Sequence, residues 1–216
     1  MSVDHPRRIR SYARRERTFT EGAKALWERR WPERGICETA WPTLGLSGKP
    51  TVLDIGFGDG EALLSAADAD PERHYVGVEV YKNGIMKVLR ALAERDIPNV
   101  KLIEGDAQLV LAVLPDASLD EVRVFFPDPW PKARHHKRRL VRAPFLNEVV
   151  RTLKPGGLFH MATDWAPYAE EVRLTMESLK GLEAVGEERG TRVSSKFERR
   201  GQRLGNEPTD LRFRKA

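Results

Sequence analysis

Cysteine is almost absent from these 216 residues: Cys37 stands alone. One thiol rules out an internal disulfide and any multi-cysteine zinc site, and its plain reading is a small half-buried side chain rather than a nucleophile. Long apolar runs are absent as well. The longest, such as residues 109–114, fall far short of the roughly 20 residues that a membrane span requires, so no membrane partner is expected. The stretch MSVDHPRRIRSYARR is charged almost throughout and lacks the apolar core of a secretory leader. A cytoplasmic setting is the expectation. Histidine is scarce, at 5 residues. With one cysteine these supply no ligand cluster, His135 and His136 included, and no metal is expected.

What remains has an ordinary hydrophobic content, 40%, and an unusual 32% of charged residues. The length suits one large domain, or a domain with extensions. A net charge of +5 hides a segregation. Residues 5–30, 132–142 and 189–216 hold 24 of the 37 Lys and Arg but only 6 of the 32 Asp and Glu. These segments therefore carry +18 and the rest of the chain −13. Either terminus alone would pass for a solvated helix face or tail. Three basic blocks around a mildly acidic body point to a polyanion footprint, and phosphate backbones are the usual partner.

Apolar runs and amphipathic stretches alternate along the body. Strands are expected at 50–55 (PTVLDI), 74–80 (HYVGVEV), 100–106 (VKLIEGD), 119–126 (LDEVRVFF) and 156–163 (GGLFHMAT). Helices are expected near 61–68, 83–95, 107–114, 141–153 and 166–179. This alternation implies βαβ units and an α/β fold with a doubly wound, mostly parallel sheet, to which the tail from 181 adds an antiparallel edge. Residues 1–45 read as a basic N-terminal extension with a short helix near 20–30, and 46–216 as the main domain, with a basic segment over 189–216. No internal repeat is visible.

In such a sheet, ligands sit outside the carboxyl ends of the strands. The first strand runs into Asp54-Ile55-Gly56-Phe57-Gly58-Asp59-Gly60. Glycines there let backbone N–H groups approach a ligand at a helix N-terminus. The second strand ends in Glu79, where a carboxylate accepts both hydroxyls of an adenosine ribose. Asp106 ends the third, placed to accept from an adenine amino group. Singly each signal is weak; together they outline an adenosine pocket. The G-x-G-x-G spacing fits the dinucleotide fingerprint imperfectly. Asp54 and Asp59 also stand where a pyrophosphate would want no acid. A cationic, phosphate-free adenosine cofactor suits the loop better, and S-adenosylmethionine is the candidate.

The fourth strand stops at Pro127-Asp128-Pro129-Trp130-Pro131, and six Lys or Arg follow between Lys132 and Arg142. Pro127 and Pro129 fix their own φ and push the preceding residues out of the helical region, which confines Asp128. Trp130 reads either as core or as an aromatic wall for a base. Lys132 and Arg134 are expected near the site, Arg138 and Arg139 in the footprint only. In the extension, Arg7, Arg8, Arg10, Arg14 and Arg15 interleave with Tyr12 and, later, Phe19. This arm reads as an RNA grip or as a cover over the cofactor site. Trp27, Trp31 and Trp41 read as packing anchors.

The stretch PDPWPKARHHKRR resembles the signature of the bacterial tRNA (guanine-N7)-methyltransferases, which modify guanine 46 of the tRNA variable loop. LDIGFGDG, GVEV, the strand-ending Asp106, LKPGGLFHMATDW and SSKFERRGQRLGN resemble further family motifs in the same order, over about residues 50–213. The proline-rich stretch and the KFE-x-R-G tail are specific; the Gly loop is generic to methyltransferases. The resemblance implies a class I S-adenosylmethionine-dependent methyltransferase fold of the Rossmann-like type, S-adenosyl-L-methionine as cofactor and tRNA as partner. It implies that Asp54, Gly56, Glu79, Asp106 and Asp128 bind the cofactor, with Asp128 also the catalytic aspartate. Lys132, Asp164 and the run Ser195, Lys196, Phe197 and Glu198 match substrate-contacting positions. Asp54 stands where the family commonly has Glu, Ser195 where Thr is usual, and Asn206 where His is common. A monomer is expected, with a homodimer as the alternative.

The chemistry of guanine N7 fits this set. Its in-plane lone pair carries no proton, so a transfer to it needs no base. Positive charge leaves sulfur and appears on the purine, where a fixed carboxylate stabilises it. Asp128 is thus expected to orient the base and balance charge, and to accept from N1–H or the N2 amino group. A nicotinamide-dependent dehydrogenase would leave the PDPW stretch and basic blocks without purpose. A non-catalytic RNA-binding protein would not need the strand-end acids.

Overall fold

A computed structural model describes residues 19–37, 48–186 and 188–216. Seven strands form: β1 (Thr51–Ile55), β2 (His74–Glu79), β3 (Val100–Glu104), β4 (Leu119–Phe125), β5 (Leu153–Thr163), β6 (Leu182–Gly186) and β7 (Thr209–Lys215). Between them run α1 (Glu21–Arg34), α2 (Glu61–Ala69), α3 (Lys82–Glu94), α4 (Ala107–Val113), α5 (Ala143–Thr152), α6 (Ala166–Ser178) and α7 (Lys196–Arg203). The strands form one sheet in the order β3-β2-β1-β4-β5-β7-β6. The first five pair in parallel, and β7 lies antiparallel between β5 and β6. The expected α/β fold with a mostly parallel sheet and an antiparallel edge is the one observed.

Burial on both faces explains the apolar character of the parallel strands. All five residues of β1 are buried. Leu53 and Ile55 join a core with Val110, Phe145, Leu146 and Tyr168 from α4, α5 and α6. Val52 joins a second core with Leu63, Ile85 and Leu89 from α2 and α3, and Trp27 and Trp31 of α1 pack against its rim. The alternation of neighbours along β1 thus sends successive residues to opposite layers. Chain order reverses between β1 and β4, which creates a crevice at their carboxyl ends.

Two boundaries differ from expectation for local reasons. α1 runs on to Arg34, past the expected end near 30, with Pro32 inside its last turn: the missing Pro32 N–H removes one backbone bond, and Gly35 N still donates to Trp31 O at 2.6 Å. The described part of the N-terminal extension, residues 19–37, is packed on the body: Ile36 N donates to Leu102 O at 2.8 Å, and Trp27 and Trp31 stack at 4.4 Å. β5 begins at Leu153, which pairs with Leu119 before a register shift, with Gly156 at φ 78°. The basic arm with Arg7, Arg8, Arg10, Tyr12, Arg14 and Arg15, and Trp41, lie outside the described residues. Among the described residues no helix is long and apolar enough to cross a membrane, and no group of three or more His, Cys, Asp or Glu could hold a metal ion.

Candidate active site at the carboxyl edge of the sheet

Each carboxyl end on the parallel side of the sheet carries an acid. In strand order these are Asp106 after β3, Glu79 at the end of β2, Asp54 within β1, Asp128 after β4 and Asp164 after β5. Five acids far apart in sequence are thereby ranged along one edge.

The Gly loop is built by its neighbours. Gly56, Gly58 and Gly60 take φ of 71°, 58° and 81°, values that side chains rarely adopt. Glu79 holds the loop: its Oε2 accepts from Gly58 N at 2.8 Å, and Oε1 from Val80 N and Tyr81 N at 2.8 and 2.9 Å. Gly84 on α3 lets the loop come close, since a Cβ there would lie 2.3 Å from Gly58 O. Asp106 caps α4, its Oδ1 accepting from Gln108 N at 2.9 Å.

Asp54 is 2% exposed, and its Oδ2 is buried with no hydrogen-bond partner. Burial pushes its carboxyl up to about 7, against the pull of Arg123, with Glu121 and Glu79 adding to the rise. A desolvated acid held near neutrality, with an unpaired oxygen, suits a ligand that brings positive charge. This orphaned oxygen fits a cationic cofactor and would repel a pyrophosphate.

The Asp128 turn is strained and exposed. Phe126 and Trp130 both adopt positive φ, 53° and 44°, and neither is glycine. Each such residue costs about 1–3 kcal/mol and persists only where its surroundings over-determine it. Asp128 between them is exposed. The basic run folds into a short 3-10 helix, Ala133–Arg138, that returns to the turn: Arg138 lies 5.0 Å from the Trp130 ring centroid and His135 meets that ring edge-on at 5.8 Å. Trp130 is therefore flanked from within the chain. Lys132, Arg134 and Lys137 are exposed. Arg139 departs from the expected footprint role, for its side chain is 1% exposed and bonded to Pro129 O and Glu171.

The tail supplies a cover. Ser195 caps α7, its Oγ accepting from Glu198 N at 3.2 Å, so Ser195 and Glu198 stand at the spacing of a capping box. Lys196 and Phe197 form its first turn. Glu198 is buried, paired with Arg189 and, at 2.6 Å, with Arg192. Its carboxylate is engaged by the protein itself. Asp164 packs against α7, where a Cβ on Gly201 would lie 2.6 Å from its Oδ2. Asn206 Nδ2 approaches the same oxygen at 3.5 Å. At the far side Arg199 pairs with Glu61 of α2 at 2.9 Å. The helix thus bridges from the end of β5 to the start of α2, across the crevice.

Sequence reasoning missed Arg139, Arg192, His160 and Asp210 as a set. His160 bonds Asp210 at 2.7 Å, and Asp210 also accepts from Arg192. A histidine inside an apolar strand was the one available signal. A groove of about 880 Å³ runs along the sheet face past Tyr75, Glu121, Arg123, His160 and Arg212. It reaches Pro50, Asp120 and Gly156 towards the amino ends of the strands, so it is not the acid-lined edge.

A family described as "Putative methyltransferase" matches residues 48–211. The tRNA (guanine-N(7)-)-methyltransferase of Nitrosococcus oceani is 44% identical over 98% of this chain and 92% of its own length. That of Halorhodospira halophila is 42% identical over 98% and 97%. Among solved structures, the 16S rRNA methyltransferase KamB superposes with a TM-score of 0.58 at 16% identity, over 93% of this chain and 95% of its own. A putative methyltransferase from Streptococcus mutans in complex with SAH gives 0.55 at 11%, over 79% and 91%. At such identities these two speak for the fold.

Proposed function

The chain belongs to the bacterial tRNA (guanine-N7)-methyltransferase family, and from that premise we propose guanine 46 of the tRNA variable loop as the base it methylates. The coarser activity is methyl transfer from S-adenosylmethionine to a guanine N7 of tRNA. What carries the reading in the structure is the Asp128 turn: an exposed carboxylate at the switch point of the sheet, with exposed Lys132, Arg134 and Lys137 beside it.

When bound, S-adenosylmethionine supplies the methyl group as an electrophile. Asp54 meets the cofactor's positive charge with its unpaired oxygen, and Asp106 accepts from the adenine amino group. Glu79 keeps Gly58 in place and, with three acceptor sites taken by backbone N–H groups, offers its remaining one to a ribose hydroxyl. Asp128 accepts from the guanine N1–H or N2 amino group and faces the ring on which positive charge develops; it takes no proton from N7. Holding N7 in line with the methyl group supplies much of the remaining acceleration. Lys132 and Asp164, with Ser195 at the start of α7, line the RNA side, and the family match adds Lys196 and Phe197 as substrate-contacting positions. Glu198 serves that surface through the arginines it anchors.

A methyl-transfer assay with tritiated S-adenosylmethionine and unmodified tRNA, followed by borohydride and aniline, tests the reading. Strand cleavage at guanine 46 is expected. Label without cleavage there would remove the assignment of the base, and bound cofactor with no label would favour a non-catalytic RNA-binding role.

A further inference from the structure

The turn that bears Asp128 is clamped at both ends by arginines withdrawn from solvent. At its far end Arg139 Nε donates to Pro129 O at 2.8 Å, while its Nη1 pairs with Glu171 of α6. The guanidinium lies 4.7 Å from the Tyr168 ring centroid, and the Tyr168 hydroxyl accepts from Val141 N at 2.9 Å. At the near end Arg192, also 1% exposed as a side chain, lies 5.4 and 5.2 Å from the rings of Phe125 and Phe126. Its fork is fixed by Asp210 at 2.9 and 2.7 Å and by Glu198 at 2.6 Å.

Arg139 comes from a run whose other members Lys132, Arg134 and Lys137 face solvent. Burying a guanidinium is costly, the more so for Arg139 because its Nη2 is buried with no hydrogen-bond partner among the described residues, and a cation meant only for phosphates gains nothing from that burial. Both clamps end on the backbone or rings that flank the positive-φ residues Phe126 and Trp130. We propose that Arg139 and Arg192 are positioning residues that hold the Asp128 turn in its reactive geometry, and that Arg139 makes no contact with RNA phosphate. The inference rests on the reading of Asp128 as the group that faces the guanine. It also links the tail to the turn, because Arg192 reaches α7 through Glu198 and β7 through Asp210.

The variants Arg139→Lys and Arg192→Lys keep the charge and lose the fork. For each, kcat for tRNA methylation should fall between about 10- and 100-fold, as a misplacement near 1 Å does. KM for tRNA should stay within about twofold, and the salt dependence of tRNA binding should not change. Arg134→Ala should do the reverse, raising KM with kcat nearly kept. Glu171→Gln, which loosens Arg139 without touching the basic run, should reproduce part of the kcat loss and stands in should Arg139→Lys not fold. Amide exchange over residues 126–130, read without turnover, should quicken in the lysine variants while β4 and α5 keep their protection. An unchanged kcat in Arg139→Lys and Glu171→Gln, a loss confined to KM, or unaltered exchange at the turn would overturn the proposal. A silent wild-type protein would instead count against the methyl-transfer reading, and the exchange data would still judge the clamps.

Discussion

Asp54 holds a proton across a range in which an ordinary aspartate has lost it, because burial lifts its carboxyl from 3.8 to about 7. Its contribution to stability is therefore full below 3.8 and is lost as pH rises through about 7. The ligand-free protein should melt at a lower temperature at pH 8 than at pH 5, with a smaller difference in Asp54→Asn; calorimetry reads both. A cationic ligand needs the ionised form, so S-adenosylmethionine should bind several-fold more tightly at pH 7 than at pH 5.5, and Asp54→Asn should bind weakly with little pH dependence. Titration calorimetry at the two pH values decides this. Asp210 behaves oppositely: burial pushes it up, but hydrogen bonds from His160 and Arg192 hold it at about 2. Its share of stability is present above 3.8 and lost as pH falls towards 2. Asp128→Asn should keep tRNA affinity within a few-fold and lower kcat by roughly 10²-fold, the scale of one lost electrostatic partner. Single-turnover kinetics separates the two. At this scale Asp54, Glu79 and Asp106 were legible because each closes an apolar run, Asp128 because two prolines confine it, and Asp164 only through the family resemblance. Arg139 was not, since nothing in KRR marks which cation turns inward.

The Gly loop depends on an element distant in sequence. Gly84 lies on α3, and its missing side chain leaves room for Gly58 O. Gly84→Ala should push the loop off Glu79 and raise the Kd for S-adenosylmethionine about tenfold or more, while tRNA binding is kept; parallel titrations with cofactor and RNA check this. The sequence offers no hint of that contact, because Gly84 falls in the first turn of a helix, where nothing marks its missing side chain as making room for a distant loop. Helices α2 to α6 and their strands announce themselves by apolar period. α7 does not: KFERRGQR has almost no apolar face, and its ion pairs with Asp210's partner Arg192 and with Glu61 hold it instead. The 3-10 helix Ala133–Arg138 was illegible for the same reason, being fixed by rings and not by a core face.

Across the whole molecule the segregation of charge, +18 in three blocks against −13 elsewhere, governs how it meets RNA. The log of tRNA affinity should fall steeply and linearly with log salt, and removing Arg134 and Lys137 together should flatten that slope by roughly 1–2. Filter binding across a salt series measures both. Charge clustering was visible from composition. What composition hid is that the block at 189–216 is partly structural, since Arg192 is consumed by Glu198 and Asp210. The placement of β7 between β5 and β6 has a further consequence, in time and not in space. β6 leaves the ribosome before the strand that joins it to the sheet, and β5 waits with an open edge until β7 arrives. Asp210, and with it the Arg192 half of the grip on the turn, comes with that late strand. The strand-end acids and the Arg139 clamp are thus all synthesised before the strand that completes the Arg192 clamp.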